Sequence, residues 1–346
     1  MKKISTLAIE TSCDDTSLAI VSFENNIFSV DKILAYSQVQ DHQKYGGVVP
    51  EFASRLHSDK IIEVLNNIGL DLVRDVDFVT VTAHPGLPSL LVGQSVAYML
   101  EWFQKPVLGV NHVQHIFSIF LERDISQISF PLAILTVSGH NDLYYVVRKD
   151  QISDYENIHH LAGFDIYRIQ SIDDAAEAFD KVSRMLGPYP GGPWISNMAD
   201  LGKDLSKELD FELFIKFFKR IWLDKEKYDF SFSIKSQVYN FLKKYKSLHG
   251  DATETIKQQL AYEFQESVVE VLSIKLLNFA QSCNPKTIAI CGVSANKRRR
   301  DYLNQKAIDY DFDILKPTKI LYSTDNAGMI VVGIMSFLKD FYNIEL

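Results

Sequence analysis

Residues 107–120 read VLGVNHVQHIFSIF, an apolar run closing on Gly109-Val110 and a second apolar-rich run after Asn111. The first has the length of a buried strand, the second the look of a helix. Asn111, His112 and His115 stand at the join. On an α-helix, residues three apart lie about 60° from one another around the axis, close enough for two imidazoles to share one ion. No acid stands between them, so the pair is not the HExxH signature of a zinc protease. Taken alone it reads more simply as a cap beside a satisfied surface residue. The rest of the chain decides.

At 346 residues the chain can bury a large core and is expected to form two lobes. Its 47% hydrophobic and 23% charged residues are ordinary for a soluble globular protein. No apolar run reaches membrane-spanning length, and residues 1–10 (MKKISTLAIE) are too short in their apolar part for a secretory signal. Cys13, Cys283 and Cys291 show no metal-type spacing and suggest free thiols in a reducing cytoplasm. A net charge of −8 argues against a wholesale nucleic-acid coat while leaving room for a local basic patch.

Toward the N-terminus, residues 6–10 (TLAIE) and 17–21 (SLAIV) read as strands joined by Thr11-Ser12-Cys13-Asp14-Asp15, with a third strand near 27–34. A hairpin turn of hydroxyls, carboxylates and backbone N–H groups can hold a phosphate or its metal, or can simply be a polar turn. A helix follows over 51–67, with Leu56, Ile61, Val64 and Leu65 on its inner face. Next come a strand at 78–83, a turn at His84-Pro85-Gly86-Leu87-Pro88, and a helix at 89–103 that leads into the strand before the histidines. Three strands followed by alternating helix and strand describe an α/β lobe.

The second half opens in the same way, with strands at 131–137 (PLAILTV) and 143–147 around a turn Ser138-Gly139-His140-Asn141-Asp142. A helix at 173–186 leads to Pro188-Tyr189-Pro190-Gly191-Gly192-Pro193, a rigid turn whose glycines would let backbone approach a ligand. Residues 201–246 read as peripheral helices and 253–282 as one long helix. Residues 286–291 read as a buried strand before a helix whose first turns carry Lys297, Arg298, Arg299 and Arg300. Asp325-Asn326 starts a closing helix over 326–342. An N-cap is the simplest account of that acid.

Several segments together match one family. IETSCDDTSLAI, YGGVVPEFASR, HPGLPSLLVG, NHVQH, TVSGHNDL, DDAAEAFDK, PYPGGP, DFSFS, GVSANKR and STDNAGM follow one another across nearly the whole chain. In these the sequence resembles the TsaD/Gcp family of tRNA N6-adenosine threonylcarbamoyltransferases. The resemblance implies an actin/hexokinase/Hsp70-like α/β fold, two ribonuclease-H-like lobes with the ligand site between them. Residues 1–128 would form the first lobe, joined by the C-terminal helix 325–346, and residues 129–324 the second.

It also implies a reaction: transfer of a threonylcarbamoyl group from threonylcarbamoyl-AMP to N6 of adenosine 37 in tRNAs reading A-starting codons. Carried over by position, the metal ligands would be His112, His115 and Asp325, holding one divalent transition metal, Fe(2+) ahead of Zn(2+). The substrate contacts would be Thr136, Val137, Ser138, Gly139, Asp180, Gly192 and Asn296. Implied partners are tRNA, a non-catalytic TsaB-type paralogue and a TsaE-type ATPase. RNA contact is expected on Lys297–Arg300, Lys316 and Lys319. The alternative reading is a catalytically impaired homologue acting as a scaffold in the same tRNA-modification complex.

Set against the family, the chain shows a pattern of single absences. The family has His-x-x-x-His with glycine before the last histidine, SGGH and GGVSAN; here stand HVQH, SGH and GVSAN. Similar gaps fall between Pro88 and Ser89, Ala176 and Glu177, and Ser233 and Ile234, with another near Gly187-Pro188. One reading is that the recorded chain lacks glycines the organism makes, through a UGA codon read as glycine. The other is a diverged or inactive homologue. The chain as written is expected to keep the fold while straining loops near Gly139 and Gly292.

Overall fold

A computed structural model describes residues 3–45, 48–84, 86, 88–137, 142–148, 165–168, 175–187, 191–205, 234–292, 296–308, 310, 312–323, 326–330, 335 and 338. The first sheet holds β1 (Ile4–Glu10), β2 (Asp15–Glu24), β3 (Ile27–Ser37), β4 (Phe78–His84) and β5 (Val107–Asn111) in the order β3-β2-β1-β4-β5. The second holds β6 (Leu132–Val137), β7 (Asp142–Val147), β8 (Asp165–Arg168), β9 (Thr287–Gly292) and β10 (Asp313–Leu315) in the order β10-β9-β6-β7-β8. In each, an antiparallel three-strand meander lies on one side of its first strand and two parallel strands on the other. The two sheets therefore share one plan, the doubled ribonuclease-H-like plan of the actin/hexokinase/Hsp70 fold.

Strand parity sorts the core into layers. In β1, Leu7 and Ile9 pack with Ile61, Val64, Leu65 and Ile68 of helix Pro50–Ile68 and with Val96, Ala97 and Leu100 of helix Pro88–Glu101. Ile4 and Ala8 point the other way. They join a cluster that also takes Leu132, Ile134, Tyr145, Val147, Ala289 and Cys291 from the second sheet. That cluster is a seam shared by both sheets. The second sheet's other face, with Ala133, Leu135, Val137, Tyr144 and Ile288, is covered by helices Ala175–Leu186, Gly191–Gly202, Ile234–His249 and Glu254–Cys283.

The C-terminal segment begins differently from the helix expected over 326–342, though its described residues 335 and 338 are helical. Asn326 caps a three-residue 3₁₀ helix, Ala327–Met329, its side chain accepting a hydrogen bond from the Gly328 N–H at 3.0 Å. Tyr322, Ala327, Ile330, Met335 and Leu338 enter the seam, while residues 331–334, 336–337 and 339–346 lie outside the described residues. Several joins of the single-residue gaps also fall in helices rather than turns. Pro88-Ser89 and Ala176-Glu177 lie in the first turns of helices Pro88–Glu101 and Ala175–Leu186. Residues 138–141 and 293–295, which follow β6 and β9, lie outside the described residues, and with them the expected strain near Gly139 and Gly292.

Candidate functional site

The strand ending at Asn111 runs directly into a nine-residue 3₁₀ helix, His112–Phe120. The Asn111 side chain accepts from the Val113 N–H at 3.1 Å, and Gln114 Oε1 accepts from the Asn111 N–H at 3.2 Å. This reciprocal cap fixes where the helix begins. At three residues per turn, positions i and i+3 eclipse. The His112 and His115 side chains consequently leave the helix on one face, their rings tilted at 58° with centroids 4.3 Å apart, closer in alignment than the α-helical offset expected from the sequence. Ile116, Phe117, Ile119 and Phe120 are buried in the seam, and the Cys291 thiol donates to the Ile116 carbonyl at 3.2 Å. The apolar half of this helix anchors it between the sheets and holds its first turn at their edge.

Glu10, which the sequence reading passed over, completes the group. It shares the parity of Ala8 and so points into the seam, where it is fully buried. Its Oε2 lies 2.6 Å from His115 Nε2 and accepts from the Thr82 hydroxyl at 2.5 Å; its Oε1 accepts from the Ser12 N–H at 2.5 Å. Burial alone would raise the pKa of this carboxyl, but the charge and hydrogen bond of His115, with His112 and Ser12, outweigh it and bring it to about 2. Ligand atoms of Glu10, His112 and His115 all lie within 4.8 Å of one another. Two imidazoles and one ionised carboxylate are a donor set that fits a single divalent transition ion. The missed signal was an acid closing an apolar strand on its seam-facing register. Asp325, expected as the third ligand, lies outside the described residues.

The turn after Glu10 is tied from two sides. The Thr11 hydroxyl donates to the Ser89 carbonyl at 2.9 Å and the Ser89 hydroxyl to the Ser12 carbonyl at 3.2 Å. Gly93 makes this approach of helix Pro88–Glu101 feasible, since a Cβ there would sit 2.8 Å from Thr11 Oγ1. On the other side a chain of buried polar groups has its direction set at one end. The Val49 N–H donates to His42 Nδ1 at 3.2 Å, which leaves His42 Nε2–H to donate to Gln38 Oε1 at 3.1 Å. Gln38 Nε2 and the Thr16 hydroxyl then reach His57 Nδ1 at 3.2 and 2.8 Å, and His57 Nε2–H donates to the Cys13 carbonyl at 3.1 Å. One backbone donor thus specifies both histidine tautomers.

The second sheet supplies the other expected positions. Thr136 lies on the seam-facing register and hydrogen-bonds Tyr145, whose phenol is pushed up by burial. Val137 instead turns its side chain into the outer core, so only its backbone is available to a ligand. Ser138 and Gly139 lie outside the described residues. Gly191-Gly192-Pro193, expected as a loop, forms the first turn of helix Gly191–Gly202. The Gly191 N–H donates to Asp180 Oδ1 at 3.2 Å, and a Cβ at Gly191 would come within 2.7 Å of the Asp180 Cα. At Gly192 a Cβ would meet nothing within 4 Å. Burial pushes the Asp180 carboxyl up; the Gly191 N–H opposes this, and the charge of Asp14 from the first sheet's hairpin turn adds to it. Asn296 Nδ2 donates to Gln265 Oε1 at 2.8 Å and to Ser196 Oγ at 3.3 Å, while its Oδ1 caps helix Lys297–Ala307 through the Arg299 N–H. Asp180, Gly192 and Asn296 are thereby linked across three helices.

The basic run divides between surface and interior. Lys297 is exposed, but Arg298 forms a two-pronged ion pair with Glu266 at 2.5 and 2.7 Å, and Arg299 is buried. Lys319 pairs with Glu122 at 2.8 Å; Lys316 is exposed.

Comparison with known proteins agrees with this architecture. The family profile described as TsaD, tRNA N6-adenosine threonylcarbamoyltransferase, matches residues 32–332. A protein of that description from Staphylococcus haemolyticus (strain JCSC1435) is 38% identical over 335 residues, covering 94% of this chain and 88% of the relative. Another from Staphylococcus aureus (strain N315) is 36% identical over 345 residues, covering 96% and 91%. Among solved structures, T. kodakarensis HypF aligns with a TM-score of 0.53 at 13% identity, covering 98% of this chain and 48% of that one, a likeness of fold alone. With the profile matching residues 32–332 and relatives above one-third identity over nearly the whole length, the chain belongs to the tRNA N6-adenosine threonylcarbamoyltransferase family.

Proposed function

We propose that this transferase moves the threonylcarbamoyl group of threonylcarbamoyl-AMP to N6 of adenosine 37 in tRNAs reading A-starting codons, with AMP leaving. The observation that carries the reading is the convergence of Glu10, His112 and His115 on the seam of a chain belonging to this family. His112, His115 and Glu10, joined by Asp325, would hold one divalent metal, iron(II) ahead of zinc(II). When bound, that ion supplies a Lewis acid able to polarise a carbonyl and to offset charge on a phosphate.

The chain's own groups do the rest. Thr136, Val137, Ser138 and Gly139 would line the adenylate, the last two through the turn after β6. The open face of Gly192 leaves room for a ligand against backbone. Asp180, held by the Gly191 N–H, would take the ribose hydroxyls, and Asn296 is fixed in orientation by Gln265 and Ser196. The exocyclic amine of adenine is a weak nucleophile, so holding the two reactants in line matters more than removing a proton.

For partners, the reading includes tRNA, a TsaB-type paralogue and a TsaE-type ATPase. A protein partner on the first lobe is supported by the outer side of helix Pro88–Glu101 and the residues after it. There Leu91, Tyr98, Met99, Trp102 and Phe103 are all more than half exposed or nearly so, Trp102 at 91%. No described helix is long and apolar enough to cross a membrane, and the three free cysteines suit the cytoplasm.

The test is reconstitution: the chain, its partner proteins, threonine, bicarbonate, ATP and unmodified tRNA, scored for modified adenosine. Product that disappears in His112→Ala supports the reading. A metal-loaded chain that gives none, while a family member gives product with the same components, selects the scaffold reading instead.

A further inference from the structure

Helix Ile234–His249 (IKSQVYNFLKKYKSLH) carries Lys235, Lys243, Lys244 and Lys246 and no aspartate or glutamate. Among the described helices of eight or more residues, it alone combines lysines with no acid. The chain around it is acidic, with net charge −8, so this density of one sign is local. Ile234, Val238 and Phe241 are buried and fix the inward side, which packs against helix Ala175–Leu186, the bearer of Asp180. At about 100° per residue, Tyr239, Lys243, Lys244 and Lys246 fall away from that side together with Ser236, Asn240 and Ser247, and all seven are exposed. Lys246 meets Asp251 at 2.7 Å, but both side chains are mostly in solvent, and such a pair gives way readily to another anion. Two arginines on which RNA contact was first expected are engaged or buried: Arg298 holds Glu266 and Arg299 is inside.

We propose that the solvent side of helix Ile234–His249 docks the sugar-phosphate backbone of the tRNA, a proposal that rests on the transfer reaction read above. The lysines meet phosphates, and the serine hydroxyls and the Asn240 amide offer hydrogen bonds to phosphate and ribose 2′-OH. The Tyr239 ring, 55% exposed, offers a flat face to a ribose or unstacked base. These contacts carry no sequence information; they position a substrate shared by many codons.

The experiment uses the full chain assembled with its partner proteins and an unmodified tRNA, comparing wild type with K243Q/K244Q/K246Q. These side chains are exposed, so the variant should keep its melting temperature and metal content. Expected is at least about a tenfold loss of tRNA affinity at physiological salt, and a slope of log affinity against log salt shallower by about two units. Unchanged affinity and slope in the folded variant overturn the proposal. So does loss of a partner protein from the assembly with tRNA affinity intact, which assigns the face to a protein. Binding is read without catalysis, so the two readings fail separately. Wild type that binds tRNA without modifying it fails the transfer reading alone; a variant that binds and modifies normally fails the surface alone. A wild-type assembly with no tRNA affinity overturns both.

Discussion

Replacing His57 by leucine should cost about 2–4 kcal/mol of folding stability, because of what the imidazole leaves behind rather than what it fills. Leucine supplies similar bulk but neither accepts from Thr16, which is fully buried, nor donates to the Cys13 carbonyl. A buried group stripped of its partner costs about 1–3 kcal/mol. Thr16 bears that in full, Cys13 in part because its carbonyl is partly buried, and Gln38 least because Nε2 also reaches the Ala53 carbonyl at 3.4 Å. Urea unfolding with linear extrapolation measures the loss. His57→Gln, which keeps an acceptor and a donor, should lose much less. The pH dependence has a sign. Burial first, with His42 beside it, holds the His57 pKa below the ordinary imidazole value despite the Cys13 carbonyl and Glu10. The unfolded chain therefore takes up a proton that the folded one refuses, so stability falls as pH drops below the ordinary imidazole range. That component should vanish in His57→Gln. A leucine variant within about 1 kcal/mol of wild type, at unchanged denaturant slope, would refute the relay as a supporting device.

Glu10→Gln should lower metal content by elemental analysis in a chain that remains folded; full occupancy would remove Glu10 from the ligand set. Asp180→Asn should raise the melting temperature at neutral pH while weakening adenylate binding by calorimetry. Burial holds the Asp180 pKa high, so ionising it costs the fold stability above its ordinary range, and the gain should shrink as pH falls toward that range. No stability gain at neutral pH, or unchanged adenylate affinity, would count against this placement. Phe117→Ala should cost about 3–5 kcal/mol, and a smaller loss would mean the seam collapses around the gap. The intact mass of the native protein should exceed that of the 346-residue chain by whole glycine residues; a matching mass ends that reading.

The strands of both sheets were legible because each is an apolar run bounded by polar turns, as in residues 6–10 and 132–137. The short strands β8 and β10 were not, having four and three residues with little periodicity to read. His112 and His115 were visible as a pair, but the 3₁₀ winding that brings them onto one face was not, since tightness depends on what the helix is wedged against. Glu10 stood in plain view at the end of TLAIE. Its role became clear only when β1 was paired with β4, bringing Thr82 beside it and the helix of His115 across from it. The glycines at 191 and 192, expected in a loop, serve different ends in a helix: Gly191 admits the neighbouring helix, and Gly192 faces open space.

The seam has a consequence for motion. Ile116, Phe117, Ile119 and Phe120 are each no more than 2% exposed and are packed by residues from both sheets. Wetting these four side chains would cost on the order of 6–12 kcal/mol, comparable with the whole stability of a domain. A hinge rotation that parted the sheets along this line would therefore leave the open state only a minute fraction of molecules. Ligands of this transferase would then reach the site at the sheet edges while the histidine-bearing turn stays assembled. Amide hydrogens of residues 116–120 should accordingly exchange only with global unfolding, and bound substrate should slow them only by as much as it raises global stability.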